Sequence, residues 1–222
     1  MMIFFGITLT FLSFLFIQSI NKRFNKIKLD VIIFPSLIIV GILYYFNIDF
    51  ETYNQGGHYL SMLIQPATVA LAIPLYKNKK IIKKYAYTIM GSILMGTLIH
   101  ALSIWILSIL LKLDRQMIVT IIPKSVTSAI AKDLSVNFGG IQEITVALVI
   151  VTGIFGSMIS PFLFKVFKVK EKGLVLGVGA HAVGTSTAIK MNEKEATMAT
   201  LGLILTGLLT VILMPLFVLL FT

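Results

Sequence analysis

Long unbroken apolar runs dominate the chain. It shows neither the three-to-four-residue recurrence of a surface helix nor the two-residue alternation of a half-exposed strand. Six stretches contain no Asp, Glu, Lys or Arg: residues 2–20, 31–48, 59–76, 85–111, 144–164 and 196–222. Each approaches or exceeds the roughly 20 apolar residues that carry a helix across a hydrocarbon layer about 30 Å thick. The pattern predicts an all-α polytopic membrane protein with about six spanning helices. The first stretch has no basic segment before it and no small-x-small site after it, so it is expected to remain as a span rather than be cleaved as a signal peptide.

Charge sharpens this reading. Only 13% of the residues are charged and 57% are apolar, against about 25% charged in a soluble domain. A soluble enzyme of this length could not clothe its surface. The net charge of +10 would suit a nucleic-acid binder, but the basic residues sit in blocks at the ends of the apolar stretches. Lys22, Arg23, Lys26 and Lys28 follow the first; Lys77, Lys79, Lys80, Lys83 and Lys84 follow the third; Lys165, Lys168, Lys170 and Lys172 follow the fifth. The loop after the second stretch carries only Asp49 and Glu51. Positive charge on cytoplasmic loops then puts the three blocks inside and the N-terminus outside. Nucleic acid is not an expected partner; lipid is. Cysteine is absent, which excludes disulfides, thiolate zinc sites and a cysteine nucleophile.

Two segments do not fit a simple succession of spans. Residues 116–140 must begin and end outside if both the second and third basic blocks are to lie inside. They hold I-P-K-S-V-T-S-A-I-A around Pro123, a helix breaker amid hydroxyls. Residues 173–189, G-L-V-L-G-V-G-A-H-A-V-G-T-S-T-A-I, are rich in glycine, including Gly179 and Gly184, and lie between Lys172 and Lys190. Both are predicted to be re-entrant hairpins, the first entering from outside and the second from the cytoplasm. Irregular backbone at that depth survives only inside protein or beside a wet cavity, so the hairpins should be central. Residues 59–76 carry Pro66 and Pro74 and form a third candidate break, read either as a kinked packing helix or as a cavity wall.

An internal repeat supports the pairing. Residues 123–132 lie over residues 181–190 at an offset of 58, matching Thr127 with Thr185, Ser128 with Ser186 and Lys132 with Lys190. Gly96 matches Gly153, and Ser103 matches Ser160, at an offset of 57. The preceding spans run in opposite directions, so the two units form an inverted-topology repeat of the kind that builds secondary transporters. The chain is thus read as a single membrane domain over residues 1–222. It comprises N-terminal spans (1–84), a first repeat unit with its hairpin from outside (85–140) and a second with its hairpin from the cytoplasm (141–222).

The chemistry of these segments suits a small oxygen-rich anion. Broken helix ends aim backbone N–H groups and a positive dipole end at a ligand. Lys124, Ser125, Thr127, Ser128, His181, Thr185, Ser186 and Thr187 are the candidate binding residues; Pro66, Pro74, Pro123, Gly179 and Gly184 are the candidate helix breaks. Alternatives stand beside these roles: Lys124 snorkelling to the outer surface, hydroxyls bonding their own helix turns, and His181 either carrying a proton or only packing. His100 reads as a satisfied interhelical hydrogen bond. The three histidines are scattered, so neither a metal nor a cofactor is expected. Asp133 and Glu143 at the rim of the first hairpin are the only nearby carboxylates. Gly173-x-x-x-Gly177 is a spacing that lets helices approach closely, within the chain or in a homodimer. No catalytic motif is present, so an enzyme is not expected.

The stretches Y-N-Q-G-G at 53–57, P-A-T-V-A-L-A-I-P-L-Y-K at 66–77, P-K-S-V-T-S-A-I-A at 123–131 and K-G-L-V-L-G-V-G-A-H-A-V-G-T-S-T-A at 172–188 together resemble the LrgB/CidB family of bacterial membrane proteins. That resemblance implies a multi-pass plasma-membrane protein paired with a small LrgA/CidA-type partner. It implies one of two activities: an antiholin-like regulator of murein hydrolase export and cell lysis, or a carrier of small carboxylates. The carried species are pyruvate in bacteria, and glycolate and glycerate for a related plastid protein. The polar hairpins favour the second expectation, a secondary carrier with alternating access for small monocarboxylates.

Overall fold

The computed structural model describes residues 2–24, 29, 31, 33–70 and 72–221. Lys26 and Lys28 of the first basic block lie outside them. The described residues form helices and no strand, the outcome that backbone hydrogen bonding demands of a chain in lipid. Four helices are long and apolar enough to cross a membrane: those at Ile3–Arg23, Ala86–Leu111, Gln142–Val166 and Glu193–Phe221.

The second and third predicted spans come out shorter. Helix α2 (Ile33–Tyr45) has 13 residues, about 20 Å at 1.5 Å per residue. The third stretch is divided among the end of α3 (Phe50–Met62), α4 (Ile64–Ala70) and α5 (Ala72–Lys77). Pro66 and Pro74 each occupy the third position of their short helix, where a residue without an N–H is tolerated in the first turn but cannot continue an earlier helix. The third candidate break at Pro66 and Pro74 is thus a division into short helices rather than one continuous span.

The chain divides into two compact units. In the first, residues 1–67, helix α1 (Met2–Arg23) packs on α2 and α3. Gly6 and Gly56 meet backbone to backbone, leaving no room for a Cβ on either. Thr10 donates to its own Gly6 carbonyl at 2.8 Å, so the 2.9 Å contact with Tyr53 is a Tyr53 hydroxyl donating to Thr10 Oγ1.

The second unit, residues 68–222, holds the broken segments. After α6 (Lys79–Lys84) comes the long α7 (Ala86–Leu111), which ends with Lys112 in the left-handed region. A first broken hairpin follows: α8 (Arg115–Ile121), a 3₁₀ turn (Ile122–Ser125) and α9 (Ser128–Asn137). Helix α10 (Gln142–Val166) leads to α11 (Lys172–Ile189), and α12 (Glu193–Phe221) closes the unit. Helix α11 is itself broken: His181 sits at φ 37°, ψ −121°. Beyond it the chain doubles back, bringing Gly184 against the Leu176 carbonyl so closely that a Cβ would collide. The expected second hairpin is therefore two helical arms turning at His181.

Packing fixes the directions. Ile93 of α7 clusters with Met198 and Leu201, and Ala101 and Ile104 with Met214 and Phe217, so α7 and α12 run parallel. Phe164, near the end of α10, clusters with Ala199 near the start of α12, so α10 runs antiparallel to both. The first hairpin packs where α7 ends and α10 begins, through Ile118, Ile122 and Leu134. The second packs at the opposite end, through Leu174 and Leu176. The hairpins thus enter from opposite ends. Gly173 and Gly177 press on the backbone of Glu195 and Ala199; this close approach is made within the chain.

Candidate functional site

Both hairpin turns reach the middle of the second unit. Val149 of α10 packs against Val126 and Ala131 beside the first turn. One helical turn further on, Gly153 faces the His181 ring, where a Cβ would be 2.8 Å from the ring carbon. The 3₁₀ turn also contacts α11. The repeat offset of 58 superposes Pro123 on His181, and these residues do occupy the two turns.

The first hairpin is tied by a buried polar knot away from its turn. Thr120 Oγ1 accepts from the Ile141 N–H at 2.9 Å, and Thr145 Oγ1 lies 2.9 Å from the Thr120 carbonyl and 2.7 Å from Ser135 Oγ. Gly139, at φ 86°, makes the reversal after α9. At the turn, His100 of α7 holds the 3₁₀ segment: Nε2 is 3.1 Å from the Ile122 carbonyl and Nδ1 is 3.2 Å from Ser125 Oγ. A carbonyl only accepts, so Nε2 carries a proton. In a neutral ring Nδ1 then accepts from the Ser125 hydroxyl.

Beside this turn lies a cavity of about 570 Å³, within the usual size of small-molecule sites. It extends from Thr88 and Glu171 at the base of the second hairpin to Lys124 and Ser125 at the turn of the first, with walls from α7, α11 and α12. Thr97 and Thr206 line it at 3% and 4% exposure, and neither hydroxyl has a hydrogen-bond partner. Buried hydroxyls in membrane helices normally bond the carbonyl four residues back, as Thr200 does to Ala196 at 2.9 Å. Lys124 is half-buried and makes no ion pair among the described residues. At the mouth, Glu171 pairs with Lys194 at 3.0 Å through one oxygen, leaving the other buried and unpaired.

Of the residues singled out from sequence, the cavity brings together Lys124, Ser125 and Gly179. Thr127 caps α9, accepting from the Ile130 N–H at 3.4 Å, and half-buried Ser128 begins that helix. Thr185 donates to the His181 carbonyl at 2.9 Å. Thr187 donates to Val183 at 3.1 Å and meets Ser157 Oγ at 2.6 Å. Ser186 is exposed. His181 is 2% exposed, its Nε2 unpaired, and outside the cavity wall. Pro123 opens the 3₁₀ turn and Gly184 lies where the arms of α11 touch. Among the described residues no cluster of His, Cys, Asp or Glu could hold a metal.

Sequence reasoning passed over Thr97, Thr152, Thr206, Thr210 and Glu171, all of which line the cavity; the hydrogen bond expected of His100 to another segment is made, to the first hairpin turn, but its place on the cavity wall was not foreseen. The available signal was polarity within an apolar helix, and it is weak because most such hydroxyls are satisfied by their own backbone.

Comparison with known proteins agrees with the motifs. The LrgB-like family matches residues 10–220. The chain belongs to the LrgB-like family. Among its relatives is the antiholin-like protein LrgB of Bacillus subtilis, 34% identical over 219 residues, covering 97% of this chain and 95% of that protein. The uncharacterized protein YwbG of Bacillus subtilis is 34% identical over 210 residues, covering 93% of each chain. The antiholin-like protein LrgB of Bacillus mycoides is 33% identical over 218 residues, covering 96% and 95%. No solved structure matches this LrgB-like chain.

Proposed function

We propose that this LrgB-like chain is an antiholin-like, non-enzymatic protein of the bacterial plasma membrane that restrains murein hydrolase export and lysis through a small LrgA-type partner. The observation that carries this reading is the match over almost the whole length to relatives named antiholin-like protein LrgB. The three basic blocks support an orientation with the N-terminus outside. Deleting the chain should raise extracellular murein hydrolase activity on a zymogram and hasten lysis, and restoring it should reverse both only when the partner is present. Unchanged hydrolase activity and lysis would contradict the reading.

The cavity favours a second, compatible activity: a secondary carrier for small monocarboxylates. Lys124, the Ser125 hydroxyl and the two unpaired hydroxyls of Thr97 and Thr206 offer a cation and donors to an anion. A regulator acting only through its packing surfaces has no use for buried unpaired hydroxyls, which cost stability. Moving an anion changes membrane energetics, which connects the two readings.

A further inference from the structure

We infer that His100 is the proton-coupling residue of the cavity: protonation of its ring turns the face that Ser125 shows to the cavity from hydrogen-bond acceptor to donor and so recruits a small carboxylate. This rests on the carrier reading of the same cavity. The chain of bonds is fixed at one end, because the Ile122 carbonyl holds the Nε2 proton at 3.1 Å. With Nδ1 unprotonated, it accepts from Ser125 across 3.2 Å, and Ser125 shows only lone pairs to the cavity that it lines. An anion finds those lone pairs repulsive. When Nδ1 gains a proton it must donate to Ser125 Oγ. The Ser125 O–H is then released towards the cavity, and a second positive charge stands beside Lys124. One proton thus supplies both a donor and a charge, through an imidazole whose second nitrogen is free to take it up.

The surroundings leave His100 as the residue that fits. Lys124 on the 3₁₀ turn and His181 on α11 are near enough to act on it electrostatically. Lys124 has no hydroxyl relay between its ammonium group and the cavity. His181 lies outside the cavity wall with an unpaired Nε2. Helix α12 contributes only the hydroxyls of Thr206 and Thr210, and Glu171 lies at the far mouth. Thr97 and Thr206, buried and unpaired, provide further donors to the same ligand.

The test is proton uptake on binding. Purified full-length protein in weakly buffered detergent is mixed with lactate, and separately pyruvate, while a pH indicator and radiolabel binding are followed. The wild type should take up about one proton per anion bound, and its affinity should rise towards tenfold per unit fall in pH over the range where His100 titrates. His100→Gln, whose amide can still donate to Ile122, should bind roughly tenfold more weakly at acid pH, without proton uptake and with a flat pH profile. His181→Gln should keep the proton uptake. Anion binding by the wild type with no proton taken up overturns the inference whatever the variants do, and so does proton uptake that persists in His100→Gln. No binding of either anion by the wild type overturns the carrier reading and this inference with it.

Discussion

Replacing Thr97 or Thr206 by Val should move stability and binding in opposite directions. Each hydroxyl is buried, at 3% and 4% exposure, and unpaired. A buried polar group without a partner costs about 1–3 kcal/mol; the lower end applies here, since both groups border a cavity. Val keeps the shape and removes the unpaired group, so each variant should gain about 1 kcal/mol. For a chain of this length that is about 2–4 °C in melting temperature. The same hydroxyl donating to a carboxylate contributes about 1.5–3 kcal/mol, so its loss should weaken binding roughly ten- to hundred-fold. Thermal unfolding in detergent can be followed through Trp105, the single tryptophan, which stacks on Phe221 at 6.3 Å. Affinity for labelled lactate is measured on the same samples. Thr200→Val is the control, because Thr200 already bonds Ala196 at 2.9 Å; it should be slightly destabilised and bind normally. A melting temperature that falls in Thr97→Val and Thr206→Val, or an affinity that does not change, would refute the reasoning that these hydroxyls await a ligand.

Gly184→Val should prevent the two arms of α11 from closing, because any Cβ collides with the Leu176 carbonyl; the variant should be lost from monodisperse fractions in size-exclusion chromatography, and recovery at wild-type yield would contradict the hairpin. Cysteines introduced at Lys80 or Lys168 in this cysteine-free chain should resist an impermeant thiol reagent in intact cells and react once the membrane is opened. Labelling of either in intact cells would overturn the orientation derived from the basic blocks.

The long helices were legible because lipid leaves a chain little choice: α1, α7, α10 and α12 are continuous apolar runs, and such runs have few alternatives to helix. Both broken segments were legible from Pro123 and the glycines around His181, since helix breakers in the middle of apolar sequence need protein around them. The subdivision at residues 59–76 was harder, because Pro66 and Pro74 read equally as a kinked packing helix or as a broken cavity wall. The cavity wall was the least legible part. Thr10, Ser92, Ser103 and Thr200 bond carbonyls four residues back, whereas Thr97 and Thr206 bond nothing, and no local pattern separates the two groups. His100 was visible as a polar residue in a span, but its partners at Ile122 and Ser125 depend on how the 3₁₀ turn docks against α7.

Uptake of labelled lactate and pyruvate into proteoliposomes, comparing wild type, Lys124→Gln and Lys165→Gln, tests most directly whether the meeting point of the hairpins is an anion site. Lys124 lines the cavity while Lys165 lies in an exposed basic block. Saturable uptake by the wild type and Lys165→Gln, with a roughly ten- to hundred-fold loss of apparent affinity in Lys124→Gln, is the expected result, since a charge-assisted contact contributes about 1.5–3 kcal/mol. Equal uptake by all three proteins, or none by the wild type, would contradict it.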